Sequence, residues 1–412
     1  DIPMGLKYNL HFIVKDIPAQ GYKTYKIVER ESAPVFDMGP VLDGISMENE
    51  FYRVVVNDKT GNLDSIFDKE AGLELVDSGC AHGFGELLVG EPRSRNVHCL
   101  GNISISRVSQ GPVASSIEVT GSAYGHPAVR KTFKLYRGLK QVNVDFRILK
   151  DPTPLLDVHI AFPFFADNPR FRYEGALSVM NPIEDYLPGS YSDTVAVQNW
   201  VKVQSDRLNI LWSGIDAPIV GFSGYWPGYI SPAHRCILEG DSLHPPLTME
   251  DMKKGWIYSN IFNNNFGTNF SVSQNSDVLF RYVFTSRTGA VEDHEAAAFG
   301  WRSVMELEAI FARSTGRAGL PTTGSFVDID NQCVVILNMK RAEDDCGYVL
   351  RLWNMRDLPQ TAAITFHCIG IKEIWLAGIT EENLKPIHKS GINCFEIAME
   401  SNSLTTVRLV PD

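Results

Sequence analysis

Asn263, Asn264, Asn265 and Asn269 lie among Trp256, Tyr258, Phe262, Phe266 and Phe270, with Thr268 between them. A sugar presents hydroxyls that both donate and accept hydrogen bonds, and C–H faces that stack on flat apolar groups. An asparagine amide offers a donor and an acceptor on one short stem, and a tryptophan or tyrosine ring offers the flat face. The stretch therefore suits a polyol. Asparagines also close turns by bonding local backbone, and the residue types leave both roles open. A second stretch, Gly221-Phe222-Ser223-Gly224-Tyr225-Trp226-Pro227-Gly228-Tyr229, sets Tyr225, Trp226 and Tyr229 on a loop rich in glycine and proline. Those rings suit a sugar platform, since loops on a rigid scaffold commonly carry binding groups. They equally suit a cover for the core or for a neighbouring domain.

Bond cleavage asks for more. A retaining glycosidase needs two carboxylates about 5 Å apart. Glu48 with Glu50, Glu184 with Asp185, and Asp344 with Asp345 are candidates, but adjacent acids at turns are ordinarily solvated. None stands in a setting that makes it a nucleophile, so no catalytic residue is assigned. The phosphate loop, the dinucleotide-binding glycine turn, the His-Glu-x-x-His helix and the Gly-x-Ser-x-Gly elbow are absent from the sequence. The histidines are scattered singly, and no metal ligand is assigned. His159, between Val158 and Ile160, reads as a structural histidine. With Glu174 it is the one acid–base pair left open for sugar epimerisation, which needs a base and an acid across one ring.

Composition narrows the partners. With 412 residues, 44% of them hydrophobic and 21% charged, the chain has the make-up of a soluble globular protein of two or three domains. A net charge of -11 argues against an electrostatic grip on nucleic acid or on an anionic membrane. No run reaches the roughly 18 apolar residues of a membrane-spanning helix. The seven cysteines include no Cys-x-x-Cys pair and read as free, mostly buried thiols. The chain opens at Asp1 with neither an initiator methionine nor the pattern of a signal peptide. It reads as a processed or trimmed piece, and no compartment is assigned.

The elements that must position these groups are strands. Val142, Val144, Phe146 and Ile148 alternate with polar residues, as do Ile117 and Val119. Residues 51–56 form a more buried strand, residues 57–61 a hairpin turn, and residues 63–67 the returning strand. Runs at 10–14 and 24–28 also read as strands. The best helix candidate is short, over residues 291–299. This pattern predicts an all-β fold with three segments: the end strands of a preceding β domain over 1–40, a large antiparallel super-sandwich over 41–312, and a small terminal β-sandwich over 325–412. Glycine and proline mark 313–324 as a linker.

One longer pattern is more specific. Met47-Glu48-Asn49-Glu50-Phe51-Tyr52-Arg53-Val54, followed by Asp58-Lys59-Thr60-Gly61-Asn62-Leu63-Asp64-Ser65-Ile66-Phe67-Asp68-Lys69, resembles the opening of the C-terminal domain of glycoside hydrolase family 38, the α-mannosidases. Ile17-Pro18-Ala19-Gln20-Gly21-Tyr22 resembles the segment before it. Phe162-Pro163-Phe164, Gln198-Asn199-Trp200-Val201, Asn263-Asn264 through Thr268-Asn269-Phe270, Leu279-Phe280-Arg281-Tyr282 and Ala297-Ala298-Phe299-Gly300 follow in the family's order. The resemblance implies a sandwich of galactose-mutarotase-like type with a small β domain after it. It also implies retaining hydrolysis of α-mannosides with an aspartate nucleophile and a zinc ion. Both belong to an N-terminal catalytic domain, and nothing in this chain matches that domain.

The resulting expectation is a non-catalytic wall of such an enzyme, inactive alone. It would need no cofactor of its own, with zinc in the catalytic domain. Its partners are that domain and a mannoside. Asn263, Asn264, Asn265, Thr268, Asn269, Tyr225 and Trp226 are the residues expected to face carbohydrate or the cleft. A free-standing carbohydrate-binding protein and a sugar mutarotase or epimerase remain as alternatives.

Overall fold

The computed structural model describes residues 10–412 apart from 29–30, 33–34, 92–93, 95, 191, 227–245, 265–270 and 313–319. The chain divides into two compact units. The larger holds Val35–Gly175 and Val179–Glu306; the smaller holds Asp1–Pro34, Ala176–Ser178 and Leu307–Asp412.

The larger unit is built on the two-residue alternation. Its main sheet runs Arg170–Gly175, Val201–Gln204, Asn209–Gly214, Ser276–Arg287, Val142–Lys150, His126–Tyr136, Ala114–Ala123 and Gly101–Gln110, each antiparallel to its neighbour. A six-stranded sheet runs Val195–Ala196, Ile219–Phe222, Lys254–Asn263, Asp157–Asp167, Glu86–Glu91 and Asn96–His98. Inward side chains of both sheets share one core. Phe162 meets Tyr282 at 4.7 Å and Trp212 at 5.5 Å between ring centroids, and Phe84 meets Phe284 at 5.3 Å. A five-stranded sheet from Val41–Asp43 to Leu73–Glu74 adds to this core through Tyr52, Val54, Leu63 and Ile66.

The expected strands at 117–119 and 142–148 lie within Ala114–Ala123 and Val142–Lys150. The 51–67 hairpin appears as Tyr52–Val56 and Leu63–Asp68. Its turn needs Gly61 at φ +63°, a left-handed conformation that costs glycine little. The helix spans Asp293–Val304, longer than the expected 291–299. Gly300 does not stop it, because a Cβ there would stand 2.8 Å from the Asn199 carbonyl; bare glycine lets the helix lie against Asn199 and Trp200. The runs at 10–14 and 24–28 are not strands. Only Gly21–Lys23 pairs, with Thr323–Ser325, and Leu10, Phe12, Ile27 and Val28 are exposed, so alternation there has no second sheet to face.

The smaller unit carries a sandwich of its own. A four-stranded sheet containing Gln360–Phe366 and Cys394–Met399 faces a five-stranded sheet containing Val334–Arg341, Tyr348–Asn354, Leu404–Pro411 and Ile371–Ala377. Ile364, Phe395, Leu350, Leu352, Ile371 and Val407 fill the space between them. The chain is thus all-β, a large antiparallel sandwich with a smaller one after it. Among the described residues no helix is long and apolar enough to cross a membrane; the thiols of Cys99, Cys346 and Cys368 are exposed and those of Cys80 and Cys394 half-buried, so the expected burial of most cysteines does not hold for these.

Candidate functional site

A strand with one wet face alternates in burial, yet residues 157–164 are buried without a break. Val158, Ile160, Phe162 and Phe164 face the core. Asp157, His159 and Ala161 therefore lie on the other, outer face of the six-stranded sheet, and something covers it. Register places Gly90, Asp157 and Asn263 in one rank across three strands, and Leu88, His159 and Asn260 in the next. The floor is polar at its centre and bare of side chains at Gly90.

Among the described residues, Tyr225 covers it. Its ring stands edge-on to His159 at 5.1 Å and to His82 at 5.2 Å, and lies 5.6 Å from Tyr258. Leu88, Ala161 and Tyr258 pack beneath it, with Trp256 alongside. A Cβ on Gly90 would stand 3.2 Å from the Tyr225 hydroxyl, so the missing side chain gives the phenol its seat. Ser223, at φ +59°, turns the chain from the strand Ile219–Phe222 toward this position, pinned where its N–H donates to the Trp256 carbonyl.

The hydrogen bonds fix protons as well as positions. The Asn260 amide nitrogen donates to Asp157 Oδ1 at 2.7 Å and lies 2.9 Å from His159 Nε2. An amide nitrogen can only donate, so His159 Nε2 accepts and the neutral ring carries its proton on Nδ1. Burial favours that neutral ring; it lowers the pKa, with Asp157 opposing and His82 adding to the shift. Burial likewise lowers His82 and raises the Tyr225 and Tyr258 phenols and the Cys80 thiol. The Tyr258 hydroxyl sits 3.0 Å from His82 Nδ1 and 3.4 Å from Cys80 Sγ. These rings and the thiol stay uncharged near neutrality, which suits hydrogen bonding and stacking rather than nucleophilic attack.

Several polar atoms on this face are buried without a partner: His159 Nδ1, the Tyr225 hydroxyl, and both the nitrogen and the oxygen of the Asn263 amide. Each such group costs about 1–3 kcal/mol.

Of the residues expected to face carbohydrate, Tyr225 and Asn263 come to this outer face, both beside Asp157. Trp226 packs against the core instead. Asn264 is buried; its amide nitrogen bonds the Ser271 carbonyl at 3.1 Å and its backbone N–H the Leu156 carbonyl, which is the turn-closing role. Asn265, Thr268 and Asn269 lie outside the described residues. Tyr258 belongs to the aromatic stretch noted in the sequence; Asp157, Asn260, His82 and Cys80 were not singled out, although the polar alternation of Asp157 and His159 inside an apolar strand was the available signal. The His159–Glu174 pair does not assemble: Glu174 is on the main sheet, held by Asn199 Nδ2 and Trp301 Nε1 at 3.1–3.2 Å. The carboxylate pairs are tied up too, with Glu48 on Lys69, Asp185 on the Asn181 N–H, and Asp344 on Arg408. Among the described residues no group of three or more His, Cys, Asp or Glu side chains could hold a metal.

Two family models match the chain: the glycosyl hydrolases family 38 C-terminal domain over residues 47–210, and the family's C-terminal β-sandwich domain over 333–400. The chain belongs to the C-terminal region of glycoside hydrolase family 38. An α-mannosidase from Enterococcus faecalis V583 superposes with a TM-score of 0.61 at 12% identity, covering 88% of this chain and 42% of that one. A family 38 protein from Enterococcus faecalis gives 0.63 at 12%, covering 88% and 44%. The family 38 chain thus spans less than half the length of either protein. No curated protein sequence matches it.

Proposed function

We propose that this family 38 chain is the non-catalytic, cleft-bordering part of an α-mannosidase-like glycoside hydrolase, and that it contacts carbohydrate there. One observation carries the reading: both matching models are C-terminal domains of a hydrolase family, and the α-mannosidase that superposes on 88% of this chain extends well beyond it. The outer face of the six-stranded sheet supports the carbohydrate role, since its uncharged amides, phenols and imidazoles bind hydroxyls without cleaving bonds. On this reading retaining hydrolysis of α-mannosides, and the zinc that serves it, belong to the catalytic domain. A wall that adds a few hydrogen bonds, each worth about 0.5–1.5 kcal/mol, shifts substrate choice more than bond cleavage.

The test is an assay of this chain with an aryl α-mannoside in zinc-containing buffer. No turnover is expected. Robust turnover by the chain alone overturns the non-catalytic assignment.

A further inference from the structure

We propose that the outer face of the six-stranded sheet is a polyol-binding subsite, with Asp157, His159, Asn260 and Asn263 as its floor and Tyr225 as a cover that a bound sugar displaces. This deepens the carbohydrate role proposed above and rests on it.

The unpartnered atoms define what is missing. His159 is 2% exposed and its Nδ1–H is a buried donor with no acceptor; Asp157 Oδ1, the nearest candidate, is 3.7 Å away. The Asn263 amide offers a donor and an acceptor, both unpartnered. A sugar hydroxyl donates one hydrogen bond and accepts others, so adjacent hydroxyls on one ring can serve both residues. An anion is a poor match because it cannot donate to the Asn263 oxygen and would meet Asp157. A cation is a poor match because it cannot accept from His159. One rank beyond His159, opposite Ala161, the Tyr258 ring gives the C–H side of a sugar a flat face.

Tyr225 stands in the ligand's place. Its phenol fills the hollow over Gly90 with an unpartnered hydroxyl, so it seals the face while leaving the floor's polar atoms unsatisfied. A ligand that satisfies them competes with this cover. Removing the cover therefore raises apparent affinity, because the open form no longer has to be selected from a closed majority.

The experiment is calorimetric titration with methyl α-mannoside of the wild-type chain and of Tyr225→Ala, Asn263→Ala and His159→Phe. Tyr225→Ala is expected to bind about tenfold more tightly than wild type. Asn263→Ala, which removes an amide with no partner and so should fold normally, is expected to weaken binding at least about tenfold in the Tyr225→Ala background. His159→Phe should do the same, and if it fails to fold the Asn263 variant still decides. Absence of binding by folded Tyr225→Ala at millimolar sugar overturns the proposal, as does binding that neither floor substitution alters. Either outcome leaves the aryl mannoside test of the non-catalytic assignment unaffected.

Discussion

The ammonium nitrogen of Lys131 lies 2.6 Å from the side-chain oxygen of Asn62, inside the core of the larger unit and fully buried. The Gly61 carbonyl, at 3.3 Å, is its other acceptor among the hydrogen bonds found, and the Phe146 ring is 5.8 Å away. Burial lowers its pKa from 10.5 to about 7, with Glu86 and Cys99 opposing.

From about 7 to 10.5 the unfolded chain holds a proton on this amine that the folded chain has released. Stability from this group is therefore complete above 10.5, falls as pH drops across that window, and is at its lowest below about 7. Lys131→Met is expected to raise stability at neutral pH by about 1–3 kcal/mol, after allowance for the acceptors it leaves unpaired. The gain should shrink as pH approaches 10. Urea unfolding of both proteins across that range checks it, and a gain that does not depend on pH counts against a lowered pKa for this buried amine.

Asp68 has the opposite sign. Burial of this fully buried carboxyl is outweighed by hydrogen bonds from Ser286, the Ala71 N–H and Lys140, so its pKa stays below the ordinary 3.8. Lys140 bridges Asp68 at 3.0 Å and Glu70 at 2.8 Å, and the Tyr52 hydroxyl meets Ser286 Oγ at 2.8 Å. This stabilisation is present above 3.8 and is lost as pH falls through the lowered value. Asp68→Asn should cost about 2–4 kcal/mol at neutral pH, with the difference closing in acid. Thermal melts at neutral and acid pH read both.

Trp301 fastens the helix through Glu174, whose buried carboxylate is raised in pKa by burial. Trp301→Phe removes the indole donor and should cost about 1–3 kcal/mol where Glu174 is ionised. In acid, with Glu174 protonated, the cost should fall. Equal losses at both pH values would assign the tryptophan to packing alone.

Two glycines separate strain from collision. Gly61 and Gly44 have φ of +63° and +58°; a Cβ at Gly61 would stand 2.4 Å from Val119 Cγ1, while one at Gly44 meets nothing within 4 Å. Gly44→Ala should cost about 1–2 kcal/mol from backbone strain alone. Gly61→Ala should cost about 2–5 kcal/mol, because overpacking adds to the strain. Comparable melting temperatures for the two variants would show that Val119 yields without cost.

Strands were legible wherever one face was wet. Val142 to Ile148 alternate because their polar neighbours reach solvent, and the hairpin at Gly61 carries its own turn chemistry. The outer-face cluster was not legible, for a physical reason. The strand Asp157–Asp167 is covered on both sides, so its alternation sets one buried layer against another rather than core against water. The cluster also gathers Cys80, His82, Asp157, His159, Tyr225, Tyr258 and Asn260 from distant parts of the chain, and no local spacing records that meeting. At 10–14 and 24–28 the error ran the other way, since alternation marks a strand only where a sheet is there to receive it. The density of asparagine drew attention to residues 263–269, and Asn264 shows the ordinary use of that density, closing backbone.

The pairing of Gly21–Lys23 with Thr323–Ser325 sets an order of events during biosynthesis. The Tyr22 hydroxyl bonds the carbonyl of Pro321 at 2.7 Å, a residue made 299 positions later. At about 5–20 residues per second, the ribosome delivers that partner some 15–60 s after Tyr22 has emerged. The larger sandwich, encoded entirely between them, has its full complement of strands before the short N-terminal strand has anything to pair with. Until residues 323–325 are made, Gly21–Lys23 has no strand to pair with, although every strand of the larger sandwich has by then been synthesised.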